Sequence, residues 1–328
     1  MTVEEQGAQP VLHPGDVVTV FGGSGFVGRY LVRALARKGY RVRVAVRRPN
    51  EALFLRTTGD VGQVQPIQAN LRDRHSCAAA MDGADAVINL VGVLYEAGAQ
   101  KFDTIHEIGA RRLASLASEA GISRFIQMSA IGADAASTSA YARSKAAGEA
   151  AVRECLPDAT IVRPSIVFGP EDQFFNKFAA LARVAPVLPL VGGGMTKYQP
   201  VYVKDVAAAI AALLERNDMG GKAVELGGPE VVTFKQLMEL TLKETGRNRA
   251  LMMMPYFFAR MMGAVLQWLP SPMLTTDQVE LLKSDNLVSD EAISFSELDI
   301  VPTAMGAILP TYLYRFRRTG QFEKNQTA

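Results

Sequence analysis

Short apolar runs alternate with longer amphipathic stretches along the first half of the chain. The first run, Val17–Phe21, is β-branched and aromatic, and the stretch from Phe26 to about Lys38 repeats apolar residues at helical spacing. The predicted strands are Val17–Phe21, Arg41–Val46, Val64–Ala69, Ala86–Val91, Arg124–Met128 and Thr160–Arg163. Strands that alternate with helices predict the α/β class, with a doubly wound parallel sheet.

This regular alternation ends near Gly169. One more strand and helix follow at Val201–Leu214, and after Gly228 the chain is dominated by helical stretches rich in Met and Leu. The pattern predicts an N-terminal extension (1–15), a nucleotide-binding Rossmann domain (16–228) and a smaller, mostly helical C-terminal domain (229–328). Residues 170–200 are assigned approximately and are also compatible with packing against the C-terminal domain.

A glycine-rich turn stands between the first strand and the first helix. Glycines allow a sharp turn, a close approach to phosphate oxygens and tight helix packing, and the amides of the helix N-terminus attract an anion. Such a pattern alone is weak, but its position after a strand and before a helix favours a dinucleotide site. The turn residues predicted to bind the cofactor are Gly22, Gly23, Ser24, Gly25, Phe26 and Gly28.

The end of the second strand indicates which dinucleotide binds. Arg47 and Arg48 lie about 20 residues beyond the last glycine, where an NAD-preferring fold offers a carboxylate to the ribose. Two arginines suit a 2′-phosphate, so NADPH (NADP) is the expected cofactor. The alternative is a solvated basic strand end. After the third strand, Asn70, Leu71 and Asp73 are expected to line an adenine pocket.

Composition and charge give no indication of a nucleic-acid-binding, metal-binding or secreted protein. The 328 residues carry a net charge of +2, so the overall charge does not call for nucleic acid as a partner. The two cysteines lack disulfide or metal spacing, the three histidines are scattered, and we expect no metal site. We also expect neither a secretory signal nor an Arg-rich presequence, because the first sixteen residues contain no Lys or Arg.

Candidate chemistry follows the fifth strand. Tyr141 and Lys145 are four residues apart, so on a helix they share a face, and the lysine would lower the pKa of the phenol. In this arrangement Tyr141 can act as a general acid or base toward a carbonyl or hydroxyl, with Ser129 as a hydrogen-bond donor. Ser137 and Ser139 are alternatives for that serine.

These motifs resemble the extended and atypical short-chain dehydrogenase/reductase family over roughly residues 16–230. The glycine turn, the YxxxK pair at Tyr141 and Lys145, and the segments Asn89–Gly92, Arg163–Pro170 and Pro200–Ala207 match its motifs. The resemblance implies cofactor contacts from Val91, Gly92 and Pro164, and a second role for Lys145 on the nicotinamide ribose. Retaining Lys145 is therefore compatible with cofactor binding without turnover.

The C-terminal third resembles a narrower family, the dehydrogenase-like accessory subunit of respiratory complex I (NADH:ubiquinone oxidoreductase). The segments that carry this likeness are Leu274–Asn286, Leu298–Ile300 and Ile308–Arg318. It implies a structural NADPH away from the electron path, and partners among the other complex I subunits of the peripheral arm, near the membrane and the quinone region. It further implies a peripheral protein on the cytoplasmic side of a bacterial inner membrane, although a mature mitochondrial chain would look the same.

Two features of the tail are compatible with contact to lipid or to a partner. Residues 255–270 include an aromatic and Met-rich stretch that is too short to span a bilayer. The basic C-terminus carries Arg315, Arg317, Arg318 and Lys324 against Glu323. The alternatives are a helix that closes the core of the small domain, and a solvated basic tail.

The sequence thus predicts an NADP(H)-binding accessory subunit of complex I. The alternative from another class is an active NADPH-dependent reductase or epimerase that uses Tyr141, Lys145 and Ser129. A nucleotide-sensing regulator is a third hypothesis.

Overall fold

The computed structural model describes residues 11–269, 272–318 and 320. Its strands are β1 (Val17–Phe21), β2 (Arg41–Val46), β3 (Val64–Gln68), β4 (Ala86–Asn89), β5 (Arg124–Met128), β6 (Thr160–Pro164), β7 (Val167–Phe168), β8 (Val187–Val191), β9 (Lys197–Tyr198), β10 (Val201–Tyr202), β11 (Ala223–Leu226), β12 (Val232–Thr233) and β13 (Ala250–Met254). Strands β1, β2 and β5 have the bounds that their apolar patterns predict.

The α-helices are α1 (Phe26–Arg37), α2 (Arg74–Met81), α3 (Gly109–Glu119), α4 (Ala140–Cys155), α5 (Phe174–Val184), α6 (Val203–Leu213), α7 (Phe234–Glu244), α8 (Tyr256–Leu266), α9 (Thr276–Leu281), α10 (Met305–Ile308) and α11 (Pro310–Leu313). Shorter 3₁₀ segments lie at Pro49–Thr58, Gly192–Gly194, Asn217–Met219, Ser296–Leu298 and Tyr314–Phe316, and a π-helical turn, Asp103–Ile108, leads into α3.

Within the described residues, seven strands form one parallel sheet in the order β11-β6-β5-β4-β1-β2-β3. The predicted fold class, a doubly wound Rossmann sheet, is confirmed. The strand order reverses between β1 and β4, and a crevice opens at the carboxyl ends of the strands at such a switch point. Residues after these two strands are therefore the first place to look for a bound ligand.

Both faces of this sheet are buried. The central strands β1, β4 and β5 are buried along their whole length, because helices cover each side of the sheet there, whereas Gln65 and Gln68 of the edge strand β3 are exposed. Phe21, Val87 and Phe125 pack on one face with Leu113 of α3 and Met81 of α2. Thr19, although polar, is fully buried in β1 because its hydroxyl donates to the carbonyl of Ala80 at 2.9 Å.

Contacts between residues divide the chain into two units. The first contains residues 1–164, 203–226 and 290–301, and the second contains 165–202, 227–289 and 302–328. The segment 290–301 returns to the first unit because the amide of Glu225 donates to the carbonyl of Ile293 at 2.9 Å, extending the β11 edge. Each unit is therefore made of three segments of the chain, whereas the sequence predicts a single boundary at 228, which stays a prediction.

The second unit contains three short strand pairs in the described residues: parallel β7–β10 and β8–β13, and antiparallel β9–β12. Two of its helices begin with a side-chain capping box. Thr233 and Gln236 form a reciprocal capping box at the start of α7, and Thr275 and Gln278 form one at the start of α9. In the part of the chain that the structure describes, no helix is long and apolar enough to cross a membrane.

Candidate functional site

The glycine turn closes tightly over the carboxyl end of β1. Gly22 has a φ of +78°, a region that favours glycine, and its amide donates to the carbonyl of Ala45 in β2 at 3.1 Å. A Cβ at Gly28 would lie 2.5 Å from the carbonyl oxygen of Gly22, so only glycine lets α1 approach the turn this closely. Gly25 is exposed at the N-terminus of α1, where helix amides can receive an anion.

The switch point brings the loops after β1 and β4 together. A Cβ on Gly22 would lie 3.2 Å from a methyl of Val91, so these two predicted cofactor residues are neighbours. Asn89 ends β4 by accepting the Val91 amide on its side-chain oxygen at 3.1 Å, which is why the strand stops short of the predicted Val91. Its amide also donates to Gln127 at 2.9 Å, which ties β4 to β5 beneath the crevice.

Both predicted arginines lie at the end of β2 and are exposed. Arg48 donates to Glu51 at 2.9 Å, in an ion pair that is exposed on both sides and therefore easily exchanged for another anion. Sequence reasoning missed a third cation here. Arg29, in α1, donates to the carbonyl of Ser24 at 3.4 Å, and its guanidinium lies 5.4 Å from the ring centroid of Phe54.

The residues after β3 have structural contacts within their own loop, in addition to any contact that they make with a ligand. The Asn70 side chain accepts the Arg72 amide at 3.1 Å, and the Asn70 amide donates to Ser76 at 3.0 Å. Leu71 is buried in the core of the first unit. Asp73 caps α2 by accepting the His75 amide at 3.0 Å, which supplies a structural reason for this carboxylate. A role of these residues in an adenine pocket stays a prediction.

The structure brings Tyr141 and Lys145 onto one face of α4. The Lys145 ammonium is 5.7 Å from the centroid of the Tyr141 ring, and it donates to the carbonyl of Met128, at the end of β5, at 3.5 Å. Lys145 is only 7% exposed. Burial lowers its pKa to about 8, while the nearby Glu149 carboxylate acts in the opposite direction.

Three serines were candidates for the accompanying hydroxyl, and two of them have local roles. The Ser139 hydroxyl caps α4 by accepting the Ala142 amide at 3.2 Å, and the Ser137 hydroxyl accepts the Ser139 amide at 3.2 Å. The Ser129 hydroxyl is buried and, among the described residues, has no hydrogen-bond partner. A buried unsatisfied hydroxyl calls for a ligand or water, so this observation favours Ser129.

A buried ion-pair network supports the α4 helix behind the candidate site. Arg163, on β6, donates to both carboxylate oxygens of Glu149 at 2.9 and 2.6 Å, and to Glu225 on β11 at 3.4 Å. Because Glu149 follows Lys145 by one turn, this bidentate contact fixes the helix against the sheet where the lysine enters the site. Pro164, a predicted cofactor contact, ends the same strand.

Sequence reasoning also missed His106, which it left among scattered histidines. The side chain is 2% exposed, and its ring lies edge-on to Tyr141 with 5.5 Å between centroids. Its Nε2 accepts the Val93 amide at 3.0 Å. The histidine lies in the π-helical turn, a feature with no motif in the sequence, and only the observed packing reveals its position beside the Tyr141–Lys145 pair.

Comparison with known proteins identifies the family. A sequence model described as the NAD dependent epimerase/dehydratase family matches residues 18–227. Over 318 residues the chain is 41% identical to NADH dehydrogenase (ubiquinone) 1 alpha subcomplex subunit 9, mitochondrial, of Arabidopsis thaliana, covering 93% of this chain and 79% of that protein. The chain belongs to this subunit 9 family, within the NAD dependent epimerase/dehydratase family. The resemblance to a complex I subunit, stated from the sequence, is confirmed.

Two further comparisons place the subunit 9 family among its neighbours. Over 204 residues the chain is 36% identical to a ceramide reductase of Caulobacter vibrioides, covering 62% of each protein. The structure of DesIV, a dTDP-glucose 4,6-dehydratase of Streptomyces venezuelae solved with NAD and TYD bound, superposes with a TM-score of 0.69 at 20% identity, over 92% of this chain and 96% of that one. At that identity the likeness shows the fold alone.

The residues at the switch point fit a dinucleotide. Glycines bring the backbone of the turn close to the start of α1, where Gly25 is exposed. The Lys145 ammonium, next to the carbonyl of Met128, and the Ser129 hydroxyl, which has no partner among the described residues, lie at the carboxyl end of β5. Together with the family assignment, this supports a nicotinamide dinucleotide as the class of cofactor.

Proposed function

We propose that this protein is an NADP(H)-binding accessory subunit of respiratory complex I, in which the cofactor stabilises the fold and is not cycled between redox states. The observation that carries the proposal is the 41% identity to the subunit 9 protein across 93% of this chain. A likeness that extends this far includes the C-terminal segments, which a shared nucleotide-binding domain alone would not explain.

The choice of NADP(H) rests on charge at the end of β2. Arg47 and Arg48 are both exposed there, and Arg29 points toward the same side of the turn through its contact with Phe54. These guanidinium groups would bind a 2′-phosphate more strongly than the exposed Glu51 carboxylate, because the phosphate carries more charge and more acceptor oxygens. Bound NADP(H) would replace the Arg48–Glu51 pair.

A stabilising role follows from mass action. A ligand that binds only the folded state raises the free energy of unfolding by RT ln(1 + [L]/Kd). The proposed contacts lie on loops after β1, β2 and β4, which belong to three different parts of one unit. A dinucleotide held by all three would tie them together, and the assembled complex would then depend on the cofactor without oxidising it.

The second candidate is an active NADPH-dependent reductase or epimerase. The specific observation in its favour is Lys145, whose lowered pKa and position beside Tyr141 suit proton transfer near neutral pH. The identity to a ceramide reductase supports the same hypothesis, although over a shorter region. In either role Tyr141, Lys145 and Ser129 would face the nicotinamide end of the cofactor.

The second unit offers a surface for docking, formed by one face of α8 and the residues just after it. The side chains of this α8 surface are Phe257, Phe258, Met261, Val265, Trp268 and Leu269, all exposed. The helix instead buries its small residues, and a Cβ on Gly263 would lie 2.9 Å from the backbone of Thr275. The side of α8 with Tyr256, Ala259 and Gly263 thus packs on the core, and the opposite apolar side is available to lipid or to a partner subunit.

Two arginines of the basic C-terminus also have structural contacts within the second unit. Arg315 donates to Asn176 at 2.7 Å and Arg317 to the carbonyl of Glu244 at 2.9 Å, so both hold the chain end in place. Arg318 is exposed, while Lys324, Glu323 and Pro270 lie outside the described residues. A peripheral position on the cytoplasmic face of a bacterial inner membrane, near the quinone region, is part of the proposal.

The experiment that tests this function follows the native protein. Membranes are solubilised in mild detergent, the complexes are separated by size in the native state, and the protein is detected beside the flavin and iron–sulfur content of each fraction. Co-migration with the complex that oxidises NADH supports the accessory-subunit proposal. A protein that migrates alone and reduces carbonyl compounds with NADPH supports the reductase instead.

A further inference from the structure

Both ring nitrogens of His106 are engaged. Nε2 accepts the Val93 amide at 3.0 Å, and Nδ1 is 2.8 Å from the Ser144 hydroxyl. That hydroxyl donates its proton to the carbonyl of Tyr141 at 2.8 Å. Because a serine hydroxyl has one proton to give, Ser144 accepts from His106. The contacts therefore require the tautomer with the proton on Nδ1 and a lone pair on Nε2.

The same histidine is packed from several sides. Its ring stacks on Phe102 with 5.5 Å between centroids and lies edge-on to Tyr141. A Cβ on Gly148 would lie 2.1 Å from the His106 carbonyl oxygen, so a glycine on α4 permits this contact. On the other side, a Cβ on Gly92 would lie 3.5 Å from Nε2 and 3.3 Å from the Lys145 ammonium. His106 thus lies between the loop after β4 and helix α4.

The surroundings keep this imidazole neutral. Burial and, to a lesser extent, the positive charge of Lys145 lower the pKa of His106 to about 3. A second proton would remove the acceptor of the Val93 amide and add a cation beside a buried ammonium. The neutral ring is therefore a fixed connector at any physiological pH.

We propose that His106 is a positioning residue that holds the Val91–Val93 loop against the helix of Tyr141 and Lys145, and so sets the nicotinamide end of the cofactor site. The inference rests on the proposed function, because the bound dinucleotide is what the positioned groups serve. The π-helical turn makes this arrangement possible, because it places the His106 ring within reach of Val93 on one side and Ser144 on the other.

The test compares four variants of the full chain, two at His106 and two controls, with NADPH itself as the probe. His106→Leu keeps the approximate volume and removes both polar contacts, and His106→Gln keeps one acceptor and one donor on a single side chain. His75→Leu, at an exposed histidine of α2, is the control for residue type. Met81→Ala, at a buried residue of α2, is the control for lost stability.

NADPH affinity is measured by nucleotide fluorescence from neutral pH to above the pKa of Lys145. We expect His106→Leu to weaken binding about tenfold, since it leaves the partly buried Val93 amide without its acceptor. It should also move the midpoint of the pH dependence, because the loop that lies against the Lys145 ammonium at Gly92 is then no longer held, and the solvation of the ammonium changes. His106→Gln should recover most of the affinity, and both controls should bind as the unmodified protein does.

The inference is overturned if folded His106→Leu keeps the affinity and the pH midpoint of the unmodified protein. If His106→Leu does not fold, the inference is tested by the NADPH affinity of His106→Gln and by the ¹⁵N chemical shifts of the His106 ring in the unmodified protein. The chain has three histidines, and His106 is the buried one. Protonated Nδ1 with bare Nε2 supports the proposal, and a proton on Nε2 overturns it. If the unmodified protein binds no NADPH, the proposed function itself is overturned. If all variants bind NADPH equally, only the inference about His106 is overturned.

Discussion

Lys145 approaches Tyr141 from within the protein, with its ammonium 5.7 Å from the centroid of the tyrosine ring and 7% of the residue exposed. The cation therefore lies against the tyrosine ring and is itself poorly solvated, which lowers the pKa of Lys145. This relationship serves cofactor binding and proton transfer equally well, so the two candidate functions must be separated by measurement.

Tyr141→Phe separates them most simply. In an accessory subunit the phenol has no redox step to serve, so we expect NADH:ubiquinone activity of the complex to stay nearly unchanged. The measurement is electron transfer by membranes from a strain that carries the variant, with subunit content checked in parallel. NADPH turnover on a carbonyl substrate that the purified protein performs and Tyr141→Phe abolishes would instead establish the reductase.

Cofactor binding should depend on pH through Lys145. Its pKa is lowered from 10.5 to about 8, so the ammonium that would contact the cofactor is lost as the pH rises through about 8. We expect NADPH affinity to fall there, by at most about tenfold for each pH unit. Lys145→Arg, which stays charged, should flatten the profile, and a profile that is already flat in the unmodified protein contradicts this role.

The same shift has a consequence for stability in the absence of cofactor. Between about 8 and 10.5 the unfolded chain holds a proton on Lys145 that the folded chain lacks. Since stability rises with pH wherever the unfolded state binds more protons, this group alone makes the free energy of unfolding increase across that window. Urea unfolding of the unmodified protein and Lys145→Met, compared across the window, isolates the contribution, which should be absent from the variant.

Arg47 and Arg48 should decide between NADP(H) and NAD(H). Replacing both with alanine should weaken NADPH binding by about 1–3 kcal/mol for each charge-assisted bond lost, and leave NADH binding nearly unchanged. Arg33 and Arg37, exposed on α1, provide a double alanine control with the same change in net charge. Equal losses for the two nucleotides, or for the two double variants, would mean that no 2′-phosphate is recognised here.

The α8 surface should matter for docking and little for folding. Phe257 is 68% and Trp268 is 85% exposed, so changing both to serine removes almost no buried area and should barely alter the midpoint of thermal unfolding. Binding to the complex or to membranes should weaken, and sedimentation with membranes measures it. Val184→Ser, at an exposed apolar residue of α5, is the control. A folded double variant that assembles normally places the docking surface elsewhere.

Point variants are better suited to this question than truncation. Cutting the chain after Gly228 would also remove 290–301, where Ile293 pairs with Glu225 and the carbonyl of Glu297 accepts from Arg216 at 2.9 Å. The nucleotide-binding unit would lose part of its own structure along with the second unit, so loss of docking could not be separated from loss of folding.

The sequence predicts those parts of the fold and site that depend on local pattern. Apolar runs such as Val17–Phe21 define strands because a parallel sheet buries both faces, and the spacing of Tyr141 and Lys145 places them on one helical face. Long-range contacts leave no such pattern. Nothing local marks the return of residues 290–301 to the first unit, and the position of His106 depends on Val93 and Ser144.

The sequence also does not determine which side of α8 faces the core. Both sides of the helix carry apolar residues, so periodicity does not distinguish a core-closing helix from a docking one. The observed packing uses Ala259 and Gly263, since small residues let the helix approach α9 closely. The large side chains of the α8 surface, which composition would assign to the core, are exposed, whereas Tyr256 packs against the core.

The most direct test of the central claim is to follow the nucleotide during catalysis by the complex. The complex is purified with this protein attached, and nucleotide is extracted and quantified against flavin before and after many turnovers with NADH and ubiquinone. If the cofactor is structural, NADP(H) is recovered in amounts equal to the flavin, and its oxidation state is unchanged by turnover. Extraction of NAD(H) alone, or NADPH that is oxidised in step with quinone reduction, would contradict it.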